Sequence, residues 1–229
     1  MTKLHTLRAN VLLLRRDRSG LALIEFALVL PVLLTMSLTG AELTNYITMR
    51  MRVSQVALHV ADNAARMGTG TLLAPKSVSE TDINDVLTGA GLQSGSLDIY
   101  GRGRIIMSSL QPVADPNIAS RYKIVWQRCR GDKAAHASTY GKAGDTNLTG
   151  IGPAGRQVTA QDYNATMFVE VYYEYKPLIA ARIAPSTTIV ETASMAVRDR
   201  RDLSDDSADP KPTHPKGIYN LEKAPVSNC

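Results

Sequence analysis

Cysteine, histidine and aromatic residues are scarce in this chain of 229 residues, which has two cysteines, four histidines and 5% aromatics. Cys129 and Cys229 fit neither a zinc ribbon nor a redox CxxC motif, and His5, His59, His136 and His214 stand singly. No metal site is expected. G-x-S-x-G and HExxH are absent, and "DLSDDS" at 202–207 departs from a D-x-S-x-S metal motif at Asp206. The glycine clusters "GAGLQSG" and "GRGRII" do not follow a strand and open a helix as a phosphate loop requires, so they are read as turns. The chain is expected to be a non-enzyme without cofactors.

Charge is unevenly spread. Of the formal +5, the first twenty residues carry +4, from Lys3, Arg8, Arg15, Arg16 and Arg18 against Asp17, which leaves +1 for the rest. No basic stripe interleaved with aromatics marks the body, so no nucleic-acid partner is expected. At 44% apolar residues, the body is rich enough to bury a real core.

What the chain does have is "RRDRSGLALIEFALVLPVLL" at 15–34. Residues 21–38 hold one charge, Glu25, and as a helix are just long enough to cross about 30 Å of hydrocarbon. The cations precede the run, which predicts a cytoplasmic N-terminus, a single membrane span and an exported remainder. Glu25 at mid-bilayer costs at least about 2.5–3.5 kcal/mol, and a charge retained at that cost usually has a partner. A secretory signal is shorter, uncharged and ends in a small-residue site, and a twin-arginine signal lacks this Asp17-Arg18-Ser19. An ordinary uncleaved anchor is the competing reading, but it gives no reason to keep Glu25.

Read together, a basic leader, Gly20, "LALI", Glu25-Phe26 and a long apolar helix resemble the prepilin signal. There an inner-membrane aspartic peptidase cuts after the glycine and leaves a carboxylate at the fifth mature position. The resemblance implies cleavage between Gly20 and Leu21, and a new amine on Leu21 one turn from Glu25. Gly20 lacks a Cβ, which suits an extended backbone in a protease cleft. Pro31 has no N–H for the carbonyl of Ala27, so a bend or loosening is expected there.

Beyond the span, Tyr46, Met49, Val53, Val56, Ala57, Val60, Ala64 and Met67 recur at helical steps, with "GTG" at 68–70 as a stop. One helix over 21–67 is predicted, its second half amphipathic. A short helix follows in "SVSETDINDVLTGAGL", with Ser79 or Thr81 as N-cap and Gly89 as its stop. Strands are expected around 97–110, 121–129, 166–175 and 187–197. In "TMFVEVYYEY", Met167, Val169, Val171, Tyr173 and Tyr175 share one face. Phe168, Glu170, Tyr172 and Glu174 share the other, read as the wetter side. The glycine-rich segment 131–157 is read as an exposed, mobile loop, and the tail 198–229 as irregular. Cys129 and Cys229 are expected to bridge within the chain, the alternatives being two free thiols or a partner bond through Cys229. The expected fold class is α+β: leader 1–20, transmembrane helix 21–40, amphipathic extension 41–70 packed on a small antiparallel sheet, exported domain 71–197, and tail.

This layout is similar to the TadE-like and TadG-like pseudopilins of the tight-adherence (Tad/Flp) pilus system. "GLALIEFALVLPVLL" carries the resemblance most specifically. "FVEVYYEYKPLI" at 168–179, "WQRCRG", "VRDRRDL" and a late cysteine extend it over most of the chain. The absence of a von Willebrand-type insertion favours a short TadE-type member. The resemblance implies a pilin-like fold and a minor pilin processed by prepilin peptidase. Its partners would be other pilins, the Tad inner-membrane assembly machinery and the lipid bilayer. Its role would rest on packing, with Glu25 setting register.

Overall fold

The computed structural model describes residues 19–71 and 73–229, so nearly all of the basic leader lies outside the described residues. The first element, α1, is a single helix over Ser19–Arg66 that passes through Pro31 unbroken. Its two halves differ in what surrounds them. Up to Ala41 its side chains are almost all exposed, whereas from Val53 onward one stripe is buried against the rest of the chain. That stripe is Val53, Val56, Ala57, Val60, Ala64 and Met67, with Tyr46 and Met49 partly buried beside it, as the spacing predicts.

After α1 come β1 (Val78–Ser79), α2 (Glu80–Gln93), β2 (Gly103–Pro112), β3 (Tyr122–Arg130), β4 (Thr166–Glu174), β5 (Thr188–Ala196), a 3-10 turn (Pro215–Gly217) and β6 (Ile218–Tyr219). The four long strands form an antiparallel sheet in the order β3-β2-β4-β5. This is the α+β class with a small antiparallel sheet. α1 lies across β4 and β5, and α2 packs beside α1. Ile105, Met107, Met167, Val169, Val171 and Ile189 of the sheet meet the α1 stripe in the main core, joined by Ile83 and Leu87 of α2.

α2 starts where its cap chemistry dictates. Ser79 Oγ accepts from the Asp82 N–H at 3.1 Å, and Asp82 Oδ2 accepts from the Ser79 N–H at 2.9 Å, a capping box that selects Ser79 over Thr81. Gly89 does not stop the helix, and most of "GAGLQSG" is helical rather than a turn. Ala90 is buried in the core, and at Gly91 a Cβ would stand 2.3 Å from the Tyr100 ring. The glycine here serves close packing inside a helix.

The second face of the sheet corrects another expectation. Segment 131–165 lies back over it, and Tyr140, Leu148, Ile151, Val158 and Ala160 build a second core with Leu110, Tyr122, Ile124 and Phe168. Every residue of β2 is buried. The face carrying Phe168 and Glu170 is therefore covered, and the segment read as an exposed loop is largely a lid on it. Glu170 is fully buried and anchors this lid. Its carboxylate accepts from Ser138 Oγ at 2.9 Å, from the Thr139 N–H at 3.1 Å and from Thr139 Oγ1 at 3.0 Å, with His136 Nε2 at 3.2 Å. Gly131 lets the chain leave β3 for the lid: its φ is +125°, and a Cβ there would meet the Gly103 carbonyl oxygen at 2.3 Å.

The tail is tied down at several points. β6 pairs in parallel with β1, the Cys129 N–H donates to the Ser227 carbonyl, and Cys129 and Cys229 form a disulfide across a sequence separation of 100. A disulfide suits an oxidising compartment.

Candidate functional site

Gly20, Leu21, Glu25 and Phe26 occupy the first two turns of α1, and all are exposed. Among the described residues, nothing outside the helix lies within 4 Å of where a Gly20 Cβ would be. Leu21 and Glu25 are four residues apart, so the Glu25 carboxylate lies one turn from the Leu21 backbone nitrogen. Thr35 Oγ1 donates to the Pro31 carbonyl at 2.7 Å, so a side chain bonds the backbone one turn after the proline. The helix is long and apolar enough to cross a membrane, and none of its most apolar stretch is buried among the described residues. Leu21, Leu23, Ile24, Phe26, Leu28, Val29, Val32, Leu33 and Leu34 present their side chains outward, a surface suited to lipid or to other apolar helices.

What attaches this helix to the domain was not anticipated from sequence. Glu42, two residues beyond the expected span, is 0% exposed. The Tyr175 hydroxyl donates to its Oε1 at 2.6 Å, and the Ile179 backbone N–H donates to its Oε2 at 2.8 Å. Asn45 Nδ2 donates to the same tyrosine oxygen at 2.7 Å, and the Tyr46 ring meets Tyr175 edge-on at 5.2 Å. The Tyr175 hydrogen bond holds the Glu42 carboxyl below the ordinary carboxylate range against the opposing effect of burial, and the Ile179 N–H adds to it. Burial, with Glu42 beside it, pushes the Tyr175 hydroxyl up. The available signal was a carboxylate placed just outside an apolar run, together with the tyrosine of "YEYKPLI".

A second attachment closes the far end of α1. Arg201 Nη2 donates to the carbonyls of Ala64 at 2.9 Å and Met67 at 3.0 Å, which the last turn leaves without helical partners. A cation there also opposes the negative end of the helix dipole. Burial pushes this guanidinium down to about 10, with Asp199 and Asp82 opposing, so it stays charged at neutral pH. Arg198 and Arg66 both pair with Asp62 nearby, and Arg50 pairs with Glu191 of β5 at 2.5 Å. Further along the chain, Arg128 of β3 forms a two-point contact with the buried Glu80 at the start of α2, its Nε 3.0 Å from Oε2.

The structure thus separates two groups of residues. Gly20, Leu21, Glu25 and Phe26 stand together on the free half of α1. Cys129 and Cys229 lie on the domain and join β3 to the tail. No curated protein and no solved structure matches the chain. Residues 20–69, a span that takes in α1 from Gly20 through the Glu42 latch to its capped end, match the TadE-like protein family.

Proposed function

We propose that this chain is a minor pilin-like membrane protein needed to assemble a Tad/Flp-type adhesive pilus. α1 spans the inner membrane with its N-terminus cytoplasmic and the α+β domain periplasmic. Prepilin peptidase cuts after Gly20, and Glu25 pairs with the ammonium so created on Leu21, within the subunit or on a neighbouring pilin. A pair of this kind offsets much of the penalty of holding a carboxylate in lipid. The role is one of packing, not catalysis. Phe26 and the apolar helix bundle with other pilins and pseudopilins, and the Tad inner-membrane machinery is the other partner.

The observation that carries this reading is a TadE-like helix whose unpacked apolar half holds a single carboxylate five residues after a glycine. The test is deletion with imaging and mass spectrometry. Filaments should vanish on deletion and return with the wild type but not with Glu25→Ala, and the membrane-extracted protein should begin at Leu21. Unimpaired piliation by Glu25→Leu, or an intact leader in cells with active prepilin peptidase, would favour an uncleaved single-pass anchor with a partner-binding domain.

A further inference from the structure

The β4–β5 hairpin closes at Tyr175, whose N–H donates to the Thr187 carbonyl, and residues 176–186 form its tip. This tip exposes Leu178 by 63% and Ile179 by 39%. A single exposed leucine is ordinary on a protein surface. Three further observations set this pair apart.

The first is level. The Ile179 backbone is fixed to Glu42, which lies two residues, about 3 Å of helix rise, past the end of the expected span at residue 40. The apolar pair is therefore held at the height where α1 leaves the hydrocarbon. The second is charge. Between 175 and 190 the chain has two cations, Lys176 and Arg182, and no Asp or Glu. Both cations are exposed, and neither has an acidic partner among the described residues. The third is rigidity, because the tip is fixed to the helix through the Glu42, Asn45, Tyr46 and Tyr175 contacts.

We propose that the 176–186 tip is a membrane-contacting element: Leu178 and Ile179 enter the interfacial layer of the lipid leaflet from which α1 emerges, and Lys176 and Arg182 bind its anionic headgroups. Apolar side chains flanked by cations are the composition that binds this layer, with each cation near an anionic surface favouring the contact. A second copy of α1 is the competing occupant at that height. It offers no acid between residue 26 and residue 41, and its Glu42 is buried in its own latch, so it gives the two cations nothing to pair with. Lipid phosphates do. Tip, latch and span together would fix the tilt of the domain over the bilayer.

The proposal rests on α1 spanning a membrane, and the test keeps the two apart. The full chain carrying Leu178→Trp (the tip probe), and separately Phe26→Trp (the span probe), is reconstituted in vesicles of phosphatidylcholine brominated high on its acyl chains, with or without phosphatidylglycerol. Trp126 is buried in the domain core and supplies the unquenched background measured in the wild type. Emission from the tip probe should shift to the blue and lose most of its intensity to the bromines. Adding Lys176→Glu and Arg182→Glu should reverse much of that loss in the anionic vesicles and little in the zwitterionic ones. Quenching of the span probe without quenching of the tip probe would overturn the tip proposal and leave the span intact. Absence of quenching at the span probe would overturn the span itself. A blue-shifted tip probe that bromine does not reach would assign the tip to a protein partner and likewise overturn the proposal.

Discussion

Two glutamates on one helix illustrate how position decides what a carboxylate does. Glu25 lies on the exposed half of α1, so the partner that the proposed function requires for it comes from processing or from another molecule. Glu42, seventeen residues later, is buried and accepts two hydrogen bonds at the junction of helix and domain. Removing the phenol oxygen with Tyr175→Phe keeps the ring and its contact with Tyr46 but takes one donor from Glu42. The Tm in detergent micelles should fall by about 2–4 °C, the size expected for one net hydrogen bond in a chain of this length. The pH dependence has a definite sign. The folded carboxyl is held below its ordinary 4.5, so its contribution is complete above that pH and is lost as pH falls through the lowered value. Wild-type Tm should therefore drop between about pH 6 and about pH 3 more steeply than that of Tyr175→Phe. Parallel curves for the two proteins would mean that the latch carries no such linkage.

At the scale of elements, the lid over the second sheet face hangs on one side chain. Glu170→Ala strips acceptors from Ser138 and Thr139 and leaves a void beneath them. A loss of about 2–4 kcal/mol is expected, and trypsin should cut early at Lys133, Lys142 or Arg156 while α1 and β2 stay protected. Unchanged cleavage kinetics would show that the apolar contacts of Ile151, Val158 and Ala160 hold the lid alone. Much of the fold was legible because periodicity is local. The α1 stripe and the alternation of β4 report which residues share a face, and both groupings match the structure. What covers the second face is not local. Tyr140, Leu148, Ile151 and Val158 are spaced too irregularly among glycines to signal burial, and Glu170 reads as a solvent-facing charge until its donors, more than thirty residues earlier, are seen beside it. The same limit hid the Glu42 latch and the Arg201 cap, which pair residues more than 130 positions apart. Gly89 misled for a different reason, since a glycine carried inside a helix and one that ends it look alike in sequence.

At the scale of the whole molecule, residues 129–229 are closed into a loop that is also tied to α1. The tail runs back along the domain, caps α1 through Arg201, adds β6 beside β1 and ends bonded to β3 through Cys129 and Cys229. A crosslink spanning 100 residues restricts the unfolded chain strongly, by about 4.7 kcal/mol in the chain-entropy account. That account also makes a claim about the slope of unfolding. Without the bridge the unfolded chain expands and exposes more surface, so the urea m-value should rise as the midpoint falls. Cys129→Ser and Cys229→Ser, each measured in detergent micelles against the oxidised wild type, should show both changes, and adding reductant to the wild type should reproduce them. A lowered midpoint with an unchanged m-value would place the effect in the folded state instead. In that case the bridge would act by holding the tail against β3, and hydrogen exchange in the reduced protein should then rise first at the Cys129 N–H, which donates to the Ser227 carbonyl, and at the β1–β6 pair, while the α1–sheet core keeps its protection.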